Sequence, residues 1–188
     1  MTKAILFDFM GVLLFKRDNY VPDALIDEID NIIGKVTNDE KFRRDVIETY
    51  GLSKDRFGEI LCKIINKYER FSPIWNLLPE LRKSYKLAIV NNGTALTLPV
   101  LKERYKIDDN FDLFISSAIE GIRKPDGGIY ILTAKRLGVK PSECLFMDDS
   151  YKNIEGAKVV GMQTIWWENK DKGFEEFFKF LKLNNFND

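Results

Sequence analysis

The stretch "AILFDFMGVLL" (residues 4–14) decides the fold, because it joins an apolar run to a carboxylate, Asp8, and then to a turn at Gly11. A short continuous apolar run is typical of a strand that is buried on both faces of a sheet. A buried strand that ends on a charged side chain needs a partner for that charge, which other strand ends can supply. Four further runs have the same character, namely "KLAIVNN" (86–92), "FDLFISS" (111–117), "CLFMDD" (144–149) and "MQTIWW" (162–167).

Segments of helical periodicity separate the later strands, and a further one forms the tail. They are residues 94–105, 126–137, 150–160 and 173–183. Buried strands that alternate with crossover helices predict an α/β fold with a doubly wound, Rossmann-like parallel sheet of five or more strands. The apolar stripe of the tail indicates packing against this sheet, and binding to a membrane surface is its alternative.

One long interval departs from this alternation. Residues 16 to about 80 contain no strand candidate, but they contain three apolar stripes at helical spacing. These stripes run from Leu25 to Ile33, from Phe42 to Tyr50 and from Phe57 to Tyr68. We expect a helical domain over residues 16–75, inserted after the first strand, and an α/β core domain formed by residues 1–15 and 76–188. Helices at this point would overhang the carboxyl edge of the sheet.

The composition excludes several classes of function. Lysine plus arginine equals aspartate plus glutamate at 29 each, so we expect neither nucleic acid nor an anionic membrane as partner. The chain has 0 histidines, which excludes Ser-His-Asp triads, Cys-His pairs and His-ligated zinc. Cys62 and Cys144 are expected to be buried thiols in a reducing cytoplasm. The first residues enter a strand pattern at once, and no apolar run approaches the roughly 20 residues of a membrane-spanning helix, so we predict a cytoplasmic protein. No sequence feature sets its oligomeric state.

Polar side chains recur at the predicted strand ends. In a doubly wound fold the carboxyl ends of the strands lie side by side, so these groups should converge. Each has a simpler explanation when taken alone, because two adjacent aspartates can cap the following helix and a loop lysine can be solvated. The convergent set consists of Asp8, Asn91, Asn92, Lys124, Asp148 and Asp149.

Three carboxylates within a few ångströms of one another repel unless they are protonated or neutralised. A hard divalent cation with oxygen ligands neutralises them, and Mg²⁺ typically binds one or two carboxylates, water and a phosphate oxygen. Lys124 and the Asn91 amide then supply the positive charge and the donor that a transferring phosphoryl group requires. Asp8 can act as the nucleophile and form an aspartyl phosphate that water hydrolyses.

The chain resembles the haloacid dehalogenase-like hydrolases over essentially its whole length. "ILFDFMGVLL", "LAIVNNG", "GIRKPDGGIY" and "LFMDDSYKNIEGAKVVGMQTI" are similar to the four motifs of that family, in the right order. The resemblance implies that Asp8 is the nucleophile and a metal ligand and that Asp148 and Asp149 hold magnesium. It also implies that Asn91, Asn92 and Lys124 bind phosphate, that Asn153 is a secondary hydrogen-bonding residue, and that residues 16–75 form a small helical cap.

Two positions depart from the family pattern. Phosphatases of the family typically carry a second aspartate two residues after the nucleophile, where this chain has Met10. A thioether carries no proton, and loss of a general acid or base typically costs about 100- to 10,000-fold in rate. The main-chain carbonyl of Met10 can still bind the metal, and the side chain can equally be core filler. Asn91 replaces the usual Ser or Thr, and its amide can still donate a hydrogen bond.

Met10 leaves several functions open. The first is a Mg²⁺-dependent phosphatase that acts on a small phosphorylated metabolite with a good leaving group. The second is a metal-independent 2-haloacid dehalogenase, which needs an arginine in the cap to bind the substrate carboxylate. The sequence pattern does not indicate which arginine this would be among Arg17, Arg43, Arg44, Arg56 and Arg70. The third is a weak or silent phosphate-binding protein, and a phosphonate hydrolase with a cap lysine is a more remote fourth.

Overall fold

The computed structural model describes residues 1–184, which form seven β-strands, eleven α-helices and one 3₁₀ turn at Pro141–Glu143. The strands are β1 (Ala4–Phe7), β2 (Leu14–Lys16), β3 (Tyr68–Arg70), β4 (Lys86–Asn91), β5 (Leu113–Ser116), β6 (Cys144–Asp148) and β7 (Gln163–Trp166). The helices are α1 (Ala24–Ile33), α2 (Asp39–Tyr50), α3 (Lys54–Asn66), α4 (Ser72–Trp75), α5 (Leu78–Ser84), α6 (Leu98–Tyr105), α7 (Ile107–Asn110), α8 (Ser117–Glu120), α9 (Gly127–Leu137), α10 (Tyr151–Val159) and α11 (Lys170–Leu183). No helix among these residues is long and apolar enough to cross a membrane.

Five of the strands form one parallel sheet in the order β5-β4-β1-β6-β7. β1 lies at its centre, and all four of its residues are fully buried. Ile5 and Phe7 pack in one apolar cluster with α5, α6 and α11, while Ala4 and Leu6 pack in a second cluster with α9 and α10. The predicted doubly wound α/β fold is therefore confirmed, and so is the packing of the tail, because Phe177 and Leu181 are fully buried.

Helices α1, α2 and α3 lie between β2 and β3 and share an apolar cluster of their own. Hydrogen bonds join this helical insertion to the segments that follow β4 and β5. The Ser117 hydroxyl donates to the main-chain oxygen of Val36 at 2.6 Å, and the Thr94 hydroxyl donates to Asp39 of α2. The insertion is thus held against the carboxyl edge of the sheet.

The structure corrects two expectations. Residues 16 to about 80 do contain a strand, because β3 pairs antiparallel with β2. Its three residues, "YER", are partly or fully exposed and form no apolar run, so the pattern that marks a buried strand is missing. The expectation for Cys62 was also wrong, since this thiol is exposed on α3 whereas Cys144 is buried in β6. Cys62 adjoins the buried stripe of α3 without belonging to it.

Candidate active site

The order of the sheet brings three polar side chains together. Asp8 directly follows β1, and its neighbours β4 and β6 end on Asn91 and Asp148. Lys124 reaches the same place from the loop between α8 and α9, and Asn153 does so from the first turn of α10. The predicted convergence at the carboxyl edge follows from three adjacent parallel strands.

Lys124 is the link between two of the carboxylates. Its ammonium donates to Asp8 Oδ1 and to Asp148 Oδ2, each at 2.7 Å, and the residue is only 1% exposed. The alternative of a solvated loop lysine is therefore wrong. Burial alone would lower the pKa of Lys124, but attraction by Asp148 and Asp8 raises it, so the ammonium form is retained.

Asn92 holds the main chain at Lys124. Its side-chain amide donates to the Lys124 carbonyl at 3.0 Å, and its side-chain oxygen accepts from the Lys124 N–H at 2.8 Å. This reciprocal pair fixes the loop from which the ammonium projects. A direct contact of Asn92 with phosphate stays a prediction.

Asp148 is immobilised by donors on both oxygens. Oδ1 accepts from the main-chain N–H of Ser150 at 2.8 Å and from Asn153 Nδ2 at 3.0 Å. Oδ2 accepts from Lys124 and lies 3.1 Å from the same Asn153 nitrogen. Capping of α10 alone does not account for these contacts. The role of Asn153 as a secondary residue of the site stays a prediction, which its hydrogen bonds to Asp148 support.

Asp8 has one engaged oxygen and one free oxygen. Oδ1 accepts from the Phe9 N–H and from Lys124, both at 2.7 Å, whereas Oδ2 has no hydrogen-bond partner within residues 1–184. Burial, and then the charge of Asp148, raises the pKa of Asp8 to about 8, although Lys124 opposes this rise. Without a further cation, the Asp8 carboxylate is therefore poorly compensated.

The carboxylate cluster fits a divalent cation. One oxygen from each of Asp8, Asp148 and Asp149 lies within 4.8 Å of the others. Oxygens that share one Mg²⁺ at about 2.1 Å lie up to about 4.2 Å apart, so a small adjustment suffices. Three carboxylates against one ammonium leave two excess negative charges, which Mg²⁺ would neutralise. Burial, and then Asp148, raises the pKa of Asp149 as well.

Gly11 allows the turn after β1 to approach Asp149 closely. Its φ is +90°, a region that residues with a side chain rarely adopt, and a Cβ there would lie 2.3 Å from Asp149 Oδ2. The main chain at Met10 and Gly11 therefore lies beside the acidic cluster. Binding of metal by the Met10 carbonyl stays a prediction, consistent with this approach.

A cavity of about 250 Å³ lies between the strand ends and the helical insertion. This volume is small for a ligand site, where about 300 to 1,000 Å³ is usual. Its sheet side includes Asp8, Met10, Asn91 and Lys124, and its other side includes Asp30, Ile33, Ile64 and Tyr68. The Asn91 amide has no hydrogen-bond partner within the described residues, so it is free to bind a ligand.

Sequence reasoning missed Asp30 and Tyr68. The available signal was an acidic residue on the apolar face of α1, since Asp30 follows buried Ile26 by four positions and precedes Ile33 by three. Nothing in the local pattern indicates that the same face meets Tyr68, which is 38 residues away in the chain.

Replacement of Lys124 by methionine should lower the free energy of unfolding by about 3 kcal/mol or more, because two buried carboxylates lose their shared counterion. Urea denaturation at neutral pH without added metal measures this loss. The matched control is Lys172→Met, which removes an exposed lysine paired with Glu168 and should change stability by less than about 1 kcal/mol. Equal losses in the two variants would contradict the central position of Lys124.

Comparisons with known proteins agree with this fold. A family model described as haloacid dehalogenase-like hydrolase matches residues 2–161. An (S)-2-haloacid dehalogenase from Pseudomonas sp. strain YL is 31% identical over 128 residues, which cover 67% of this chain and 55% of the relative. A glyceraldehyde 3-phosphate phosphatase from Pyrococcus furiosus is 33% identical over 93 residues, covering 49% and 39% respectively. The chain thus spans about half or less of these two relatives.

A third relative and two solved structures match over more of their length. A glyceraldehyde 3-phosphate phosphatase from Methanopyrus kandleri is 27% identical, covering 88% of this chain and 83% of its own. A haloacid dehalogenase-like enzyme from Bacteroides thetaiotaomicron, solved with magnesium and inorganic phosphate, has a TM-score of 0.71 at 20% identity and 88% and 94% coverage. A predicted hydrolase of this type from Porphyromonas gingivalis has a TM-score of 0.77 at 21% identity and 97% and 98% coverage. At these identities the two structures support the fold alone.

Proposed function

This chain belongs to the haloacid dehalogenase-like hydrolase family, and from that premise we propose that it is a Mg²⁺-dependent phosphatase acting on a small phosphorylated metabolite. One observation carries the proposal: the buried Lys124 ammonium joins Asp8 to Asp148 at the end of a cavity that also contains the free Asn91 amide. The proposal assigns residues 16–75 to a cap, and residues 1–15 and 76–188 to the core that carries the chemistry.

Asp8 is the nucleophile in this mechanism. Its Oδ1 is fixed by Phe9 and Lys124, which leaves Oδ2 to attack phosphorus. The bond from phosphorus to the leaving oxygen breaks as an aspartyl phosphate forms on Asp8. Water then attacks that phosphorus, the bond between phosphorus and Asp8 Oδ2 breaks, and the carboxylate is restored, while the proton of the water leaves with inorganic phosphate or passes to solvent.

The charges that form during this reaction need nearby cations and donors. Lys124 and the Asn91 amide bind the phosphoryl oxygens, on which negative charge is spread in the transition state. Asp8, Asp149, the Met10 carbonyl and Asp148 are the proposed metal ligands. Bound there, Mg²⁺ would withdraw charge from the phosphoryl oxygens and reduce the repulsion between phosphate and Asp8.

Met10 determines which leaving groups react fast. The thioether lines the cavity but cannot protonate the departing oxygen or activate water. Substrates whose leaving oxygen is stable as an anion, such as aryl, acyl and sugar 1-phosphates, need this proton least. We therefore assign the protein to phosphate esters of this kind.

A 2-haloacid dehalogenase is the second candidate, favoured by the absence of an aspartate at position 10 and by the Pseudomonas relative. The substrate carboxylate of such an enzyme needs a cation. Within the described residues, Lys124 is the one cationic residue that lines the cavity, and it lies beside Asp8 at the reacting centre, so no second cation is left to hold a substrate carboxylate. Arg17, Arg43, Arg44, Arg56 and Arg70 do not line it, so the phosphatase is the better supported function.

The proposal predicts phosphate release from an aryl phosphate that depends on Mg²⁺. Removal of the metal by a chelator should lower the rate about 100-fold or more, since a bound cation contributes several kcal/mol to catalysis of this type. Added Mg²⁺ should also raise the melting temperature, because it binds the folded state. Halide release from a 2-haloacid, with no effect of chelator, would establish the second candidate instead.

A further inference from the structure

The cap side of the cavity contains a second, partly buried charge network. Lys67 donates to Asp27 Oδ1 and to Asp30 Oδ2, each at 2.6 Å, and Tyr68 donates its hydroxyl to the same Asp30 oxygen at 2.6 Å. Burial alone would lower the pKa of Lys67, but its hydrogen bonds to Asp27 and Asp30 raise it. The network therefore contains two carboxylates and one ammonium, with a net charge of one negative unit.

Asp30 is the part of this network that a substrate can reach. It lines the cavity together with Tyr68, whereas Asp27 and Lys67 do not. Both donors act on Asp30 Oδ2, and Oδ1 has no hydrogen-bond partner within residues 1–184. The tyrosine hydroxyl is already engaged as a donor, so the group presented here is a hydrogen-bond acceptor with negative charge.

The rest of the cavity does not compensate this charge. Ile33, Ile64 and Ile65 supply apolar surface, and Asn31, Thr94 and Thr97 supply neutral polar groups. Lys124 lies on the opposite side of the cavity, where its positive charge is paired with Asp8 and Asp148. A substrate whose phosphoryl group lies at Asp8 thus has its leaving group among apolar and neutral polar side chains, and Asp30 is the one charged group among the described residues on that side of the cavity.

We propose that Asp30 selects the leaving group: the cavity takes phosphomonoesters whose alcohol part is neutral or cationic and carries a hydroxyl or ammonium donor, and it rejects those with a second anionic group. Selection of this kind rests on the proposed phosphatase site. A hydroxyl or ammonium donates to Asp30 Oδ1, while a carboxylate in the same place meets the net negative charge of Asp27 and Asp30, which the single Lys67 ammonium does not cancel. Asp30 is a specificity residue here and takes no part in proton or phosphoryl transfer.

Binding to a protein that cannot turn over substrate separates selection from catalysis. The Asp8→Asn variant, with Mg²⁺ present, is titrated calorimetrically with glycerol 3-phosphate, O-phosphoethanolamine and 3-phosphoglycerate. The first two should bind about 10-fold or more tightly than the third, a ratio expected for one partly buried charge. Addition of Asp30→Asn should reduce that ratio to about 3-fold or less.

The matched control is Glu28→Gln in the same background. Glu28 is an exposed carboxylate on the same helix and does not line the cavity, so its loss should leave the ratio unchanged. The order of affinity for the three esters is measured in the Asp8→Asn protein without any change at Asp30. It therefore tests the proposed selection even if the Asp30→Asn variant does not fold.

The outcomes distinguish this proposal from the one on which it rests. Equal binding of the three esters, tighter binding of 3-phosphoglycerate, or no binding of any of them overturns the role of Asp30, even while the wild type hydrolyses an aryl phosphate. An equal change of the ratio by Glu28→Gln also overturns it. If the wild type releases no phosphate from any ester, the proposed phosphatase activity is wrong, and the ratio of the affinities still tests the selection by Asp30.

Discussion

Asp8→Asn should reduce phosphate release by about 10⁴-fold or more, because loss of a nucleophile removes the covalent route altogether. The substitution keeps the shape of the side chain. Its amide oxygen can still accept from the Phe9 N–H and from Lys124, the two contacts that hold Asp8 Oδ1. Steady-state phosphate release from an aryl phosphate, at saturating Mg²⁺, measures the loss.

Stability provides the control for this variant. Burial and the charge of Asp148 raise the pKa of Asp8 to about 8, so we expect the ionised form to be disfavoured in the metal-free protein. The neutral amide should therefore leave the metal-free protein at least as stable as wild type. A rate within 10-fold of wild type, in a folded variant, would contradict the assignment of Asp8 as nucleophile.

Met10→Asp should increase hydrolysis of an alkyl phosphate, such as glycerol 3-phosphate, by about 100- to 10,000-fold. This is the usual contribution of a positioned general acid or base, and Met10 lines the cavity in which the leaving group must lie. An aryl phosphate should gain much less, because its leaving oxygen needs little protonation. Comparison of kcat/KM for the two esters measures the effect.

Met10→Leu is the matched control, since it also replaces the thioether but introduces no ionisable group. It should leave both rates within a few-fold of wild type. If Met10→Asp raised kcat/KM equally for alkyl and aryl esters, or if Met10→Leu raised it as much, the effect would not arise from proton transfer at position 10. Phosphate release by Met10→Asp together with none by wild type would identify a silent family member.

The sheet and the main site were predictable because their signals are local. Each run of buried residues identifies a strand, and every doubly wound order brings the carboxyl ends to one edge, so Asp8 and Asp148 were expected at the same edge. Their direct contact through Lys124 depends on the order β5-β4-β1-β6-β7, in which β1 and β6 are neighbours. The sequence could not indicate that the Asn91 amide is free whereas Asn92 supports Lys124, because side-chain pairing depends on loop geometry.

The contacts on the side of the helical insertion were not predictable, because they join residues that are far apart in the chain. Asp30, Lys67 and Tyr68 meet across 37 or 38 residues of chain, and no local periodicity encodes such a contact. β3 was missed because its three residues are stabilised by pairing with β2 and not by burial. Cys62 was misplaced because apolar neighbours along a helix do not share its face.

The central claim is that Asp8 carries the phosphoryl group during turnover. Rapid mixing with a ³²P-labelled ester and Mg²⁺, followed by an acid quench, measures it most directly. We expect label bound to the wild-type protein that hydroxylamine releases, as it does from acyl phosphates, and none on Asp8→Asn. Phosphate release by the wild type without protein-bound label, or equal labelling of both proteins, would contradict the account.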